Sequence, residues 1–187
     1  RFLMDEAMTS QTTPFAAVIL AAGKGTRMKS ELHKVLHPIA GRAMLDHLLD
    51  SLGALALART VVVAGDRHEQ VRTAVEGRGI EVVLQEPQLG TAHAALQAKA
   101  ALADFNGRVL VCFGDCPMVR PETVERLFAA LDQGARVAVL GFRPADPLAY
   151  GRIIADADGT VHKMVEYKDA SPDERACDLC NSGLLVA

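Results

Sequence analysis

Tryptophan is absent from the 187 residues, and phenylalanine and tyrosine together supply only 4% of them. Proteins that grip single-stranded nucleic acid stack bases on aromatic rings, so a stacking platform is not expected. Positive charge is not in excess either: the net formal charge is −3. No global basic field draws nucleic acid, and any anion site must be local. No apolar stretch reaches the ~18 residues of a membrane span. The opening "RFLMDEAMTSQTTP" carries Asp5 and Glu6 and has no long apolar core, so it does not read as an export signal. It reads as a disordered leader over residues 1–14. Cysteine is scarce, with four in the chain, Cys112, Cys116, Cys177 and Cys180. Without an export signal the expected location is cytoplasmic and disulfides are not expected. The CxxxC and CxxC spacings admit a zinc site. Against it, Cys112 lies inside the apolar run "RVLVCFGD", where a buried thiol is ordinary.

Half of the residues are hydrophobic, enough for one domain with a sizeable core. Short valine- and isoleucine-rich runs alternate with helical patterns. "FAAVILAAG", "RTVVVAGD", "IEVVLQE", "RVLVCFGD" and "ARVAVLGF" read as strands. "AMLDHLLDSLGAL", "RHEQVRTAVEGRG", "GTAHAALQAKAALAD" and "RPETVERLFAALDQG" read as helices between them. The alternation predicts an α/β domain with a mostly parallel sheet and right-handed crossovers. The strands lack a polar face, as expected where helices cover both sides. Beyond residue 145 the pattern changes. "YGRIIADADGTVHKMVEYKD" predicts a β-hairpin about the turn "DADG", and "CNSGLLVA" begins a further strand. A domain that stops inside an apolar strand reads as incomplete, with a strand edge left exposed.

Ligands of open α/β sheets gather at the carboxyl ends of strands. Three candidates fall there: the loop after Gly23, Gln85, and Asp115. The glycine-rich turn "GKGTRMKS" can present successive backbone N–H groups to an anion, and Lys24, Arg27 and Lys29 add cations. It lacks the spacing of the P-loop, and Met28 stands where the dinucleotide fingerprint needs a glycine. A nucleotide loop of another kind, or a plain strand-to-helix turn, remains. Lys34 in "SELHKVLHPIAG" is a phosphate ligand or a solvated cation. His33 and His37 flank it at a metal-like spacing, but Lys34 stands where the zinc-protease motif needs glutamate. Gln85 carries a donor and an acceptor side by side, which matches the edge of uracil, and Gly90 lets a base approach the backbone. The alternative is a polar loop that caps a helix at Thr91. Asp115, after a glycine at a strand tip, can hold Mg²⁺ against phosphates or simply end a strand.

Taken in order, "LAAGKGTRM", "KVLHPIAG", "QLGTAHA", "GDCPM", "YGRI", "VEYKDA" and "CNSG" are spread over nearly all of the chain after the leader. In these segments the chain resembles the uridylyltransferase domain of the bacterial bifunctional N-acetylglucosamine-1-phosphate uridyltransferase/glucosamine-1-phosphate acetyltransferase. The resemblance implies a Rossmann-like nucleotidyltransferase fold over residues 15–187, incomplete at its C-terminal end and without the acetyltransferase β-helix. It implies uridylyl transfer from UTP to N-acetylglucosamine 1-phosphate, giving UDP-N-acetylglucosamine and pyrophosphate for cell-envelope precursors; the alternatives are a nucleotidyltransferase for another sugar 1-phosphate, or a fragment that binds nucleotide without turnover. Carried over by position, Leu20, Ala21, Ala22, Gly23 and the loop through Arg27 would hold nucleotide phosphates, with Lys34. Gln85, Gly90 and Thr91 would read uracil. Phe113 and Gly114 would lie by the nucleotide, and Asp115 would bind Mg²⁺. Gly151, Glu166 and Asn181 would contact the amino sugar. Arg27, Lys34 and Asp115 are the implied catalytic groups. No nucleic acid or membrane partner is implied, and a homotrimer only for a longer protein with the acetyltransferase part. The sequence departs from the family in three respects. His33 replaces the usual proline before the lysine, which is expected to loosen that loop. "GDCPM" and "CNSG" differ from the commoner "GDVPL" and "NTG". A second Mg²⁺-binding asparagine of the family falls beyond Ala187.

Overall fold

The first strand, β1 (Phe15–Ala21), buries both of its faces. Successive side chains of a strand point to opposite sides, so Ala17, Ile19 and Ala21 enter one core and Val18 and Leu20 another. A strand apolar on both faces is stable only in the middle of a layered sandwich, which is where it lies.

The computed structural model describes residues 13–23, 25, 28–147 and 149–187. The leader through residue 12, Lys24 and Arg27 lie outside them. After β1, a 3₁₀ turn (Lys34–Leu36) leads into the short hairpin β2 (Pro38–Ile39) and β3 (Arg42–Ala43). Then follow α1 (Met44–Gly53), β4 (Arg59–Ala64), α2 (His68–Ala74), β5 (Glu81–Leu84), α3 (Thr91–Gln97) and β6 (Arg108–Phe113). The rest comprises α4 (Pro121–Asp132), β7 (Ala138–Phe142), β8 (Arg152–Ala155), β9 (Val161–Val165), α5 (Pro172–Ala176) and β10 (Cys180–Val186). The main sheet runs β5-β4-β1-β6-β10-β8-β9, with β7 also paired to β10. β5, β4, β1 and β6 are parallel, and every pairing made by β10 and by the β8–β9 hairpin is antiparallel.

The helical stripe of α1 buries Leu45, Leu48, Leu49 and Leu52, and α4 buries Val124, Leu127 and Phe128, in the core that holds Ile19. On the other face Ala94 and Ala98 press on Val18, Leu20, Val61 and Val63. Full burial of each such leucine or valine is worth about 1.5–3 kcal/mol. The outer strands carry the polar ends: Glu81 on β5, and His162 and Lys163 on β9, are exposed, which discourages edge-to-edge pairing.

Two expectations change. The helix begun at Thr91 ends at Gln97, and the chain continues to residue 104 in turns that bond three residues back, such as Lys99 N to Leu96 O at 3.1 Å. The strand opening with Cys180 leaves no bare edge. It is flanked by β7 and β8 near Cys180, and by β6 and β7 near Val186.

The turns after α3 are clamped to β4 by a forked ion pair. Arg59 Nη1 and Nη2 donate to Asp104 Oδ1 and Oδ2 at 2.5 and 2.7 Å. Hydrogen bonds from that guanidinium pull the Asp104 carboxyl down to about 2. A lowered carboxyl pKa favours the folded state at pH values above the ordinary one of ~3.9, and that contribution is lost as pH falls through about 2. In Arg59→Met the Asp104 carbon resonance should titrate near the ordinary value. A midpoint still near 2 would place the cause elsewhere.

Candidate active site

β5, β4, β1 and β6 run in one direction, so their carboxyl ends meet along one edge of the sheet. The chain goes from β1 outward to β4 and β5, then returns to place β6 on the other side of β1. The loops after β1 and β6 therefore part, and a cleft opens at that switch point. Its volume is about 420 Å³.

Ten of the residues singled out in the sequence line this cleft: Leu20, Ala21, Ala22, Gly23, Lys34, Gln85, Gly90, Thr91, Phe113 and Asp115. Gly114 lies buried beneath them, its N donating to Leu20 O at 2.9 Å. A Cβ at Gly114 would stand 3.1 Å from Val35 Cγ1 and 3.4 Å from Ala21 Cβ, so glycine lets β6 turn close against β1. Lys34 Nζ donates to an Asp115 carboxylate oxygen, and both side chains remain about one-third exposed, at 38% and 30%. Arg27, expected to join them, lies outside the described residues.

The loop that carries Lys34 is held from α2. His33 N donates to Gln70 Oε1 at 2.7 Å, and Gln70 Nε2 donates to Glu31 O at 3.0 Å. The Arg67 guanidinium donates to Ser30 O. His33 itself is buried, and its Nδ1 accepts from Val35 N, so it caps the 3₁₀ turn. Burial lowers the His33 pKa and keeps the ring neutral. The expected loosening by a non-proline residue is thus corrected: the lost ring constraint is replaced by these bonds.

Gln85 also needs correction. The residue is 4% exposed, and its amide nitrogen donates to Gly90 O at 2.9 Å and contacts His93 Nδ1 at 3.0 Å. Its donor end is taken up by the protein, and Oε1 is the atom left for a ligand. It therefore presents an acceptor, not an acceptor–donor pair.

Gly151, Glu166 and Asn181 form a second cluster and do not line the cleft. Asn181 N donates to Gly151 O at 2.9 Å, and a Cβ at Gly151 would lie 3.7 Å from Glu166 Oε2. The two clusters are joined through β10. Asn181 Oδ1 accepts from Gly183 N at 2.9 Å, and Gly183 has φ +80° within the β10 bulge. The Phe113 ring fills the space where a Gly183 Cβ would be, at 1.9 Å.

Sequence reasoning gave no role to Val35, Gln88, Ala94, Gly65, Arg67 and Gln70. Val35, Gln88 and Ala94 also line the cleft. Gly65 directly follows β4, close to Ala22, and a Cβ there would meet Ala22 O at 2.6 Å. The signal for it was visible, since "GD" follows β4 as it follows β6.

All four cysteines are free. Burial pushes the Cys112 thiol up to about 12 and raises Cys116, so neither is a ready nucleophile. Among the described residues no group of three or more histidine, cysteine, aspartate or glutamate side chains could hold a metal ion, so the zinc alternative has no ligand set.

A switch-point cleft that joins a lysine–aspartate pair to a buried amide at a glycine-capped helix start defines a nucleotide-handling α/β domain of the nucleotidyltransferase class. The sequence pattern of the MobA-like NTP transferase domain matches residues 17–163, and the chain belongs to that family. Among curated relatives, the bifunctional protein GlmU of Rhizorhabdus wittichii is 61% identical over 175 residues, which are 92% of this chain and 39% of the relative. That of Zymomonas mobilis is 55% identical over 177 residues, again 92% of this chain and 39% of the relative. The chain thus spans well under half the length of these relatives. In fold it is similar to a putative glucose-1-phosphate thymidylyltransferase from Bacillus anthracis, with TM-score 0.75 and 20% identity over 92% of this chain and 70% of that one. It is also similar to HddC from Yersinia pseudotuberculosis, with TM-score 0.70 and 22% identity over 91% and 75%.

Proposed function

We propose that the cleft transfers a uridylyl group from UTP to N-acetylglucosamine 1-phosphate, giving UDP-N-acetylglucosamine and pyrophosphate. The observation that carries this is the Gln85 amide, pinned in the same cleft as Lys34 and Asp115 with its acceptor oxygen free. Uracil presents an N3–H to such an oxygen, whereas cytosine presents a lone pair. The identity to GlmU proteins supports the amino-sugar substrate, for which Gly151, Glu166 and Asn181 are the proposed contacts.

The nucleophile is a phosphate oxygen of the sugar phosphate. A phosphomonoester has its second pKa near ~6, so it is largely dianionic at neutral pH and needs no general base. The difficulty is repulsion between two polyanions. Lys34, released from Asp115, would meet the phosphates together with the backbone N–H groups after β1, and Arg27 would add a second cation. Charge placed in advance where it builds in the transition state lowers the barrier. Holding the attacking oxygen in line with the α-phosphorus supplies the remaining advantage. Mg²⁺ fits this donor set, because it takes one or two carboxylates and completes its shell with phosphate oxygens and water. Asp115 would hold it, and the bound ion would neutralise phosphate charge. A cytoplasmic location is part of the proposal. Among the described residues no helix is long and apolar enough to cross a membrane.

The test supplies UTP, N-acetylglucosamine 1-phosphate and Mg²⁺ and follows pyrophosphate release. A chain that binds UTP tightly yet releases no pyrophosphate would be a binding module, and the transferase reading would be wrong. Lys34→Ala should weaken UTP binding by roughly 10- to 150-fold, the worth of a charge-assisted contact, and uridine binding by less than about twofold. Equal losses for nucleotide and nucleoside would remove Lys34 from the phosphates.

A further inference from the structure

His93, half-buried on α3, touches the same Gln85 amide nitrogen that donates to Gly90 O. A backbone carbonyl only accepts, so the amide atom 2.9 Å from Gly90 O must be the nitrogen of Gln85. Its second hydrogen then points to His93 Nδ1 at 3.0 Å, and that ring nitrogen must accept. A neutral imidazole accepts through one nitrogen only, so the proton of His93 sits on Nε2. Gln97 approaches from the other side: its Nε2 lies 3.2 Å from His93 Nε2 and donates to His93 O at 3.0 Å. Two amide nitrogens thus face one ring that can accept from just one of them. Gln85 is pinned by Gly90 O. Gln97 is held by His93 O in the same way, but it is less buried than Gln85 and its contact with the ring, 3.2 Å against 3.0 Å, is the longer, so it is the amide that can give way. The competition resolves in favour of Gln85.

We infer that His93 is a positioning residue for base choice: its Nδ1 holds the Gln85 amide so that an acceptor oxygen, and not the donor nitrogen, meets the edge of the base. The inference rests on the proposed uridine reading of Gln85. With both Gly90 O and His93 Nδ1 in place, Oε1 favours the N3–H of uracil and repels the N3 lone pair of cytosine. Without His93 a single bond holds the amide. The side chain then reorients and offers its nitrogen to cytosine, and loss of one neutral hydrogen bond makes this about fivefold easier.

Calorimetric titration of the 187-residue chain with UTP and with CTP, each in Mg²⁺, reads this directly. The parent should prefer UTP by about 10- to 100-fold. His93→Leu fills the space without an acceptor and should lower that ratio at least about fivefold. His93→Ala removes the same acceptor with less apolar bulk, and should do likewise even if the leucine variant does not fold. His93→Asn places an amide oxygen near the position of Nδ1 and should restore the ratio to within about twofold. Affinity for inorganic triphosphate should be the same in all of them, because a role in general packing would move it and a role in orienting Gln85 does not. Equal UTP and CTP affinity in the parent would overturn the uridine reading and this inference together. A preference present in the parent and unchanged in His93→Leu or His93→Ala would overturn the inference alone. So would a fall in His93→Asn as large as in His93→Leu.

Discussion

Asp115→Asn should retain the fold and lose about 10²- to 10³-fold in the rate of uridylyl transfer. Asparagine has nearly the same size and shape, and Asp115 is partly exposed at the end of β6. Substitutions at such positions usually change stability by less than about 0.5 kcal/mol. The charge is what matters. Without it, Lys34 loses its partner and the proposed Mg²⁺ loses its protein ligand. A neutral amide oxygen binds a hard divalent cation far less well than a carboxylate. The loss should therefore fall on kcat and on the Mg²⁺ concentration giving half-maximal rate, while the circular dichroism spectrum stays that of the parent. Raising Mg²⁺ should recover only part of the rate, because the position of the ion is lost along with its affinity. A variant that turns over like the parent at limiting Mg²⁺ would show that Asp115 only ends a strand.

The second large effect is on stability. Gly183→Ala should destabilise the domain by about 2–5 kcal/mol. Two costs combine. A non-glycine residue at φ +80° costs about 1–2 kcal/mol, and the added methyl falls 1.9 Å from the Phe113 ring. Overpacking of that kind costs about 1–3 kcal/mol. For a chain of this length the melting temperature should fall by roughly 5–15 °C. The ring can escape only by shifting, and it lines the nucleotide cleft, so UTP affinity should fall as well. Phe113→Leu in the same chain should give back part of the stability, since the smaller side chain relieves the contact. The two substitutions would then be non-additive, as expected for neighbours. A Gly183→Ala protein that melts with the parent would show that the bulge in β10 has room the structure does not show.

The coupling through Gly183 has a functional side. Asn181 and Phe113 belong to different clusters, one proposed for the sugar and one for the nucleotide. A phenylalanine ring resting on the strand of Asn181 sets the spacing between the two. Orienting one substrate against the other is what an in-line transfer needs.

The sequence by itself determined the layering and the location of the cleft. β1, β4, β5 and β6 were legible because their apolar runs are short, rich in valine, leucine and alanine, and bounded by glycine, aspartate and glutamine. The helices between them were legible from their 3.6-residue stripes, such as Leu45, Leu48 and Leu52. Parallel strands carry their carboxyl ends to one edge, so Gly23, Gln85 and Asp115 had to meet there once the strands were right. These are consequences of local periodicity and of one rule of topology. Tertiary structure decided what depends on partners distant in the chain. β10 lies among β6, β7 and β8, through antiparallel pairing that no local pattern encodes. The Lys34 loop is held by Arg67 and Gln70, more than thirty residues away. A glutamine in a sequence offers a donor and an acceptor alike. Gly90 O and His93 Nδ1 decide which end Gln85 has left, because hydrogen bonds bind specific atoms at fixed distances, and a one-dimensional pattern of residue types carries no information about which atoms meet.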